Sequence, residues 1–333
     1  MRRGASAFAA LVATVVAALA LSLWLGAVGL GFAETAAALA GRGDASAVAI
    51  VRDLRLPRAL LAALVGGALA LAGATFQALL RNPLAEPYVL GVSSGAAVGA
   101  VAAIGAGVAA AGPWGVPAGA FVGALAAILL VLRIGTSAGR GLDVRVLLLA
   151  GVVAGTFFNA CVLLLLSFQE VDAFRSALFW MMGSLAGASW PGVALLAVAC
   201  GAALAALLGL ARAFDLLAIG EETAAHLGTP VVRVRRAAYL IASLLTASAV
   251  VVAGGIGFVG LVVPHGVRMV WGGGHRFLLP ASFLAGAAFL PLADLAARTV
   301  AAPGELPLGV VTAFVGVPFF VWLLRRYTLE AAW

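Results

Sequence analysis

The stretch RLPRALLAALVGGALALAGATFQALL, from Arg55 to Leu80, decides what kind of chain this is. Beyond Arg58 it runs 22 residues without a charge. A membrane-crossing helix needs roughly 20 mostly apolar residues. Pro57 suits the first turn of a helix, where its missing N–H would be unpaired anyway. This places Arg55 and Arg58 at the mouth of a span. A cation there opposes the helix dipole by roughly 0.3–1 kcal/mol at an exposed end, so the pair calls for a reason.

The whole chain repeats that character. Its 333 residues are 64% hydrophobic and 10% charged, with mean hydropathy +1.16. A soluble domain carries about 25% charged residues and could not bury this much apolar surface in one core. Apolar windows fall at about 8–31, 59–80, 89–110, 113–134, 145–168, 191–212, 234–254, 256–271, 277–297 and 307–324. The expectation is a single all-α polytopic membrane domain over residues 1–333 with about ten transmembrane helices. Many alanines and 42 glycines suit close helix contacts in lipid. The apolar run after Met1-Arg2-Arg3 is too long for a signal-peptide core and reads as the first span.

All 20 basic residues are arginine, giving a formal charge of +7. They lie scattered among loops, as topology markers do, so nucleic acid is not an expected partner. With the N-terminus inside, 14 arginines fall on the cytoplasmic side, Arg140 among them, against six outside: Arg42, Arg52, Arg55, Arg58, Arg175 and Arg298. The positive-inside rule then gives an N-in/C-in orientation.

Several chemistries are excluded or disfavoured. A phosphate-binding Walker loop requires a lysine, and the chain has none. No zinc spacing links Cys161, Cys200 and the three histidines, so no metal or other cofactor is expected in this chain. Acidic residues sit in loops or near span ends, whereas ion-coupled transporters usually carry them deep inside. Gln77 and Asn159 are the chief polar groups within spans, and either bond helix to helix or line a solute path. The outside arginines either anchor headgroup phosphates or form a dock for an acidic partner. The segment Gly220-Glu221-Glu222-Thr223-Ala224-Ala225-His226-Leu227-Gly228 is helix-competent and ends on a glycine stop. It is either a solvated loop or a lever fitted to a motor.

Taken in series, these strings resemble the FecCD/BtuC-type permeases of ABC importers. Arg55-Leu-Pro-Arg58, Arg81-Asn-Pro-Leu-Ala-Glu86-Pro87 and Leu90-Gly-Val-Ser-Ser-Gly95 carry the match. So do Leu147-Leu-Leu-Ala-Gly151, Phe179-Trp-Met-Met-Gly183, Gly257-Phe-Val-Gly-Leu-Val-Val-Pro264, Asp294 to Arg298 and Glu305 to Thr312. The order holds from about residue 50 to 326. The resemblance implies a homodimer in the cytoplasmic (inner) membrane, two cytoplasmic ATPase subunits that bind ATP and Mg, and a soluble binding protein outside. The cargo would be a large chelate: ferric siderophore, haem or cobalamin. It further implies docking of the binding protein at Arg55, Arg58 and Arg298. ATPase coupling would fall to Gly220, Glu221, Glu222, Thr223, Ala225, Leu227 and Gly228. A translocation path would run past Gln77, Asn159, Phe179, Met181, Met182 and Ser184. The chain departs from the pattern at Val144 and Arg145, where some cobalamin permeases carry small hydroxyl residues. The rival reading is a stand-alone secondary transporter or channel.

Overall fold

The computed structural model describes residues 2–26, 28–136 and 142–330; Arg140 lies outside them. Fourteen α-helices are found among these residues, in the order α1 (Arg2–Trp24), α2 (Phe32–Leu39), α3 (Ala45–Ala49), α4 (Leu56–Leu80), α5 (Val92–Gly105), α6 (Gly115–Thr136) and α7 (Val144–Ser167). The order continues with α8 (Val171–Met181), α9 (Trp190–Ile219), α10 (Glu221–His226), α11 (Val231–Ala253), α12 (Val259–Trp271), α13 (His275–Thr299) and α14 (Leu308–Glu330). Each of the ten apolar windows holds one helix. Seven spans are long and apolar enough to cross a membrane; α5 and α12 are shorter apolar helices, and α14 is apolar over Leu308–Trp322.

The rod that contains α4 does not begin at Pro57. It begins at Ala45, where the Asp44 carboxylate accepts from the backbone N–H groups of Ser46 and Ala47, and runs unbroken to Leu80. A π-helical turn, Ile50–Arg55, precedes the proline, with Leu56 N donating to Val51 O five residues back. Proline lacks an N–H, and its ring presses on the carbonyl four residues earlier; one wide turn relieves both problems. Arg55 and Arg58 therefore lie within a helix, and the expected conflict with a helix N-terminus is removed.

This rod is the axis of the subunit. Every residue from Val65 to Leu80 is buried, and α13, α11, α9 and α12 pack around it. A helix apolar all round has no solvent face, and here that surface meets protein. Small residues make the fit possible. A Cβ on Gly66 would run into Gly286 O of α13, and one on Gly73 into Gly260 O of α12. In the same way α5 and α6 meet backbone to backbone at Gly95, Gly99, Gly119 and Gly123. In lipid, van der Waals contact of this kind holds helices together, because apolar side chains gain nothing by leaving the acyl chains.

Other helices are covered on one side only. On α7, Leu147, Ala150 and Ala154 face inward while Leu149, Val153, Phe157, Leu163 and Leu164 are exposed. On α14, Phe314, Val317 and Val321 are exposed. At 30 residues, α9 is about 45 Å long, well beyond a hydrocarbon core of about 30 Å. It carries α10 at its far end.

Candidate functional site

Three groups of residues, at the two ends of α4 and beside its middle, have more built into them than packing requires.

At the Arg58 end, α1 stops at Trp24 with its last carbonyls unpaired inside the helix. Arg55 Nη1 donates to Leu23 O at 2.7 Å and to Trp24 O at 2.9 Å, and its Nη2 donates to Val28 O. Arg298 Nη2 donates to Ser22 O and to Ser22 Oγ. Two guanidinium groups from other helices thus cap the negative end of α1, which has no basic residue in its own last turn. Arg58 makes a double fork. Its Nε and Nη2 hold Asp294 at 2.8–3.2 Å, while Nη1 and Nη2 hold Glu305 at 2.8 and 2.9 Å. Asp294 is 1% exposed and also pairs with Arg298 at 3.5 Å. The expectation of an open arginine pair is corrected here. Arg55 and Arg298 are buried, because α1 and the turn after it fold over them, and Arg58 is largely covered.

Asp294 and Glu305 are the residues missed at this end. The signal was present: the orientation that puts Arg58 outside puts both acids beside it. Hydrogen bonding from Arg58 holds the Glu305 carboxyl below its ordinary value of 4.5. A depressed carboxylate stabilises the fold above the unfolded pKa, and the contribution fades as pH falls through the folded value. Acidification from neutral through that range should lower the melting temperature of the wild-type protein more than that of Glu305→Gln. The effect should be small, because Glu305 is 41% exposed.

Beside the middle of the bundle, α11 ends at Ala253 and α12 begins at Val259, with Gly254-Gly-Ile-Gly-Phe258 between them. Two side chains from the turn after α4 hold this break. Glu86 Oε1 accepts from Phe258 N at 2.6 Å, and Tyr88 Oη accepts from Ile256 N at 2.8 Å. Phe258 sits at φ 66°, an unusual conformation for a residue with a side chain, and the Glu86 bond fixes it at the start of α12. The turn itself is set by Arg81 at φ 47° and by Asn82 Oδ1, which accepts from Leu84 N. The two prolines of the 81–87 string thus belong to a clamp. Glu86→Ala should cost about 2 kcal/mol, the worth of a hydrogen bond to a charged group, while Glu86→Gln keeps an acceptor oxygen and most of the stability. Thermal denaturation of the solubilised protein checks both.

Met181, Met182 and Ser184, expected along a path, fall in this same region. Backbone groups after α8 tie three elements together: Ser184 N donates to Ala253 O, Leu308 N to Gly183 O and Gly309 N to Met182 O. Met181 and Met182 line an apolar pocket of about 530 Å³ with Phe258, Phe314 and Pro318. Ser184 lines a more polar cavity of about 710 Å³ with Trp114, Asp172 and Trp180. Phe179 is exposed and lies 5.8 Å from the Arg175 guanidinium. Asn159 is on the open face of α7. Gln77 stands apart from these: it is 1% exposed, and its Nε2 donates to Leu261 O at 3.2 Å and Gly260 O at 3.4 Å. It bonds α4 to α12.

At the far end of α4, α10 follows α9 through Gly220. Arg235 of α11 forks onto Glu221 at 2.8 and 2.6 Å, and Ala224 is buried beneath. Glu222, Thr223, Ala225, Leu227 and Gly228 are left exposed, along with Ile219. A short helix is thus pinned on one side and offers an apolar and acidic surface on the other. Gly228 ends it at φ 80°, as the glycine stop implied.

A polytopic helical bundle with a break between α11 and α12, an apolar pocket at Met181 and Met182 and an exposed end-helix fits a membrane permease. The chain belongs to the FecCD transport family, whose model matches residues 14–326. It is 47% identical over 291 residues to the cobalamin import system permease protein BtuC of Halobacterium salinarum, covering 86% of this chain and 76% of that one. It is 41% identical to the vitamin B12 import system permease protein BtuC of Klebsiella pneumoniae, covering 82% of each. To the ABC transporter permease YvrB of Bacillus subtilis it is also 41% identical, covering 86% of this chain and 81% of that one. A structure described as an inward-facing conformation of a metal-chelate type ABC transporter superimposes with a TM-score of 0.85 at 30% identity, covering 95% of this chain and 98% of the other. The chain is a permease subunit of an ABC importer, located in the inner membrane; the ATPase of such a transporter is a separate subunit.

Proposed function

We propose that the chain is the permease of a cobalamin importer, narrowing the three chelates raised by the sequence. The observation that carries this is the 47% and 41% identity to permeases named for cobalamin and vitamin B12 import. The two subunits of a homodimer would meet through the open faces of α7 and α14, enclosing a path past Asn159, Phe179 and the Met181–Met182 pocket. Such a path is mostly apolar, with Arg175 beside Phe179 as a fixed charge along it, which suits weak, transient contact with a large neutral-to-anionic cargo. With the N-terminus and C-terminus inside, the Arg58 end faces out and α10 faces the cytoplasm. ATP and Mg bind the partner ATPase, and α10, braced by Arg235, transmits its movement to α9 and α11.

A soluble binding protein would land on the Arg58 end. Arg55 and Arg298 support that surface by holding α1, and the exposed Arg42 and Arg52 offer guanidinium groups to its carboxylates. Replacing Arg42 and Arg52 together by Gln should weaken association and flatten its salt dependence, read by binding-protein titration against the permease complex. Unchanged binding would remove these two from the dock.

Uptake decides the function. Cells lacking the gene should lose accumulation of labelled cyanocobalamin and regain it on complementation, but only while the partner ATPase is active. Normal cobalamin uptake with loss of ferric siderophore uptake would overturn the cargo. Proton-driven uptake by this chain alone in proteoliposomes would return the secondary-transporter reading.

A further inference from the structure

The α10 end of the bundle holds a cleft of about 430 Å³ where the ends of α4, α9 and α12 meet the start of α13. Its chemistry is unlike that of the other cavities. Arg81 and Arg268 line it, and Arg268 lies within electrostatic reach of His275. His275 is 7% exposed, and the Asp215 carboxylate takes both its backbone N–H, at 2.9 Å, and its Nδ1, at 2.7 Å. The ring is thereby fixed with Nε2 turned to the cleft, buried and without a hydrogen-bond partner. Gln77, 1% exposed, commits its Nε2 to the α12 carbonyls and leaves Oε1 buried and unpaired on the same cleft. Two buried polar atoms without partners each carry a desolvation cost that a ligand would remove.

We propose that this cleft binds a phosphate group that also bears a hydroxyl. Arg81 and Arg268 supply the positive charge. With Asp215 on one side and the anion on the other, His275 would gain the charge that its burial otherwise disfavours and donate from Nε2, while Gln77 Oε1 accepts the hydroxyl proton. Guanidinium groups match phosphate oxygens geometrically, and two of them on one rim argue against a cation. The same chemistry is offered by a phosphatidylglycerol headgroup or by free hydrogen phosphate. In the orientation proposed above, the cleft opens at the level of the inner leaflet. Ala218, on its wall, is two residues from Gly220, so an occupied cleft would brace the base of α10.

The full-length chain in nanodiscs tests this without reference to its cargo. In equal parts phosphatidylcholine and phosphatidylglycerol, the melting temperature should rise by roughly 3 °C or more over pure phosphatidylcholine, by binding linkage. His275→Gln and Arg268→Gln should each lose most of that increment. If inorganic phosphate added to phosphatidylcholine discs produces the rise instead, and the variants abolish it, the site stands with free phosphate as its ligand. Absence of both increments, or increments equal in wild type and both variants, overturns the proposal. Arg268 is only half-buried, so its variant reports even if His275→Gln does not fold.

Discussion

Asp294→Ala should leave little folded protein. The carboxylate is 1% exposed and holds Arg58 at 2.8 Å and Arg298 at 3.5 Å. Removing it strands two largely buried guanidinium groups, which pull on one remaining acid, Glu305, from one side only. Breaking a buried ion pair by deleting one partner costs about 3–5 kcal/mol, a large share of the stability of an ordinary domain. The damage should spread to α1, because Arg298 also holds Ser22 O at its end. A loss of monodisperse protein in detergent, with faster proteolysis near Trp24, is the expected readout. Glu305→Gln should be much milder, since that side chain is already half in solvent. An Asp294→Ala protein that melts like wild type would show that the arginines find other partners or water.

The second large effect is steric. Gly73→Val should prevent α4 and α12 from meeting, because even a Cβ there would overlap Gly260 O. The obstacle is a backbone carbonyl, which cannot rotate aside as a side chain can, and α12 is held in place by Glu86 and Gln77. Overpacking costs typically 1–3 kcal/mol and more when backbone must move; here we expect about 3 kcal/mol or more. Gly201→Ala and Gly209→Ala on α9 provide the control. Nothing lies within 4 Å of a Cβ at either position, so the helix should gain up to about 1 kcal/mol from the lost backbone freedom of glycine. Melting curves of the three variants in one detergent compare them directly. Equal melting temperatures would mean that α4 and α12 do not pack as closely as described.

These effects show which parts of the site could be read from residue order. The Gly220–Gly228 segment was legible because its cues are local: charge, helix propensity and a glycine stop. The 81–87 string announced a structured turn by its two prolines, but not that Glu86 reaches Phe258, 172 residues away. Arg55, Arg58 and Arg298 were unusual for their side of the membrane, yet the burial of Arg55 and Arg298 depended on α1 folding over them, and that of Arg58 on Asp294 and Glu305. Gln77 left two readings open, and the position of α12 decided in favour of a helix–helix bond.

The sequence alone determined that this is a helical membrane protein, where its ten apolar segments lie, and the family to which it belongs. Composition and segment length suffice for that, since a chain this apolar can satisfy its backbone in lipid only as helices or a closed barrel. It could not determine which of those segments faces lipid. The stretch from Arg55 to Leu80 is as apolar as α7, yet one is enclosed by four helices and the other is open along a whole face. Lipid tails and neighbouring helices are equally apolar, so hydropathy does not distinguish them. Only the tertiary structure made that distinction, through glycines placed where two backbones touch and through charges placed where two chain ends meet.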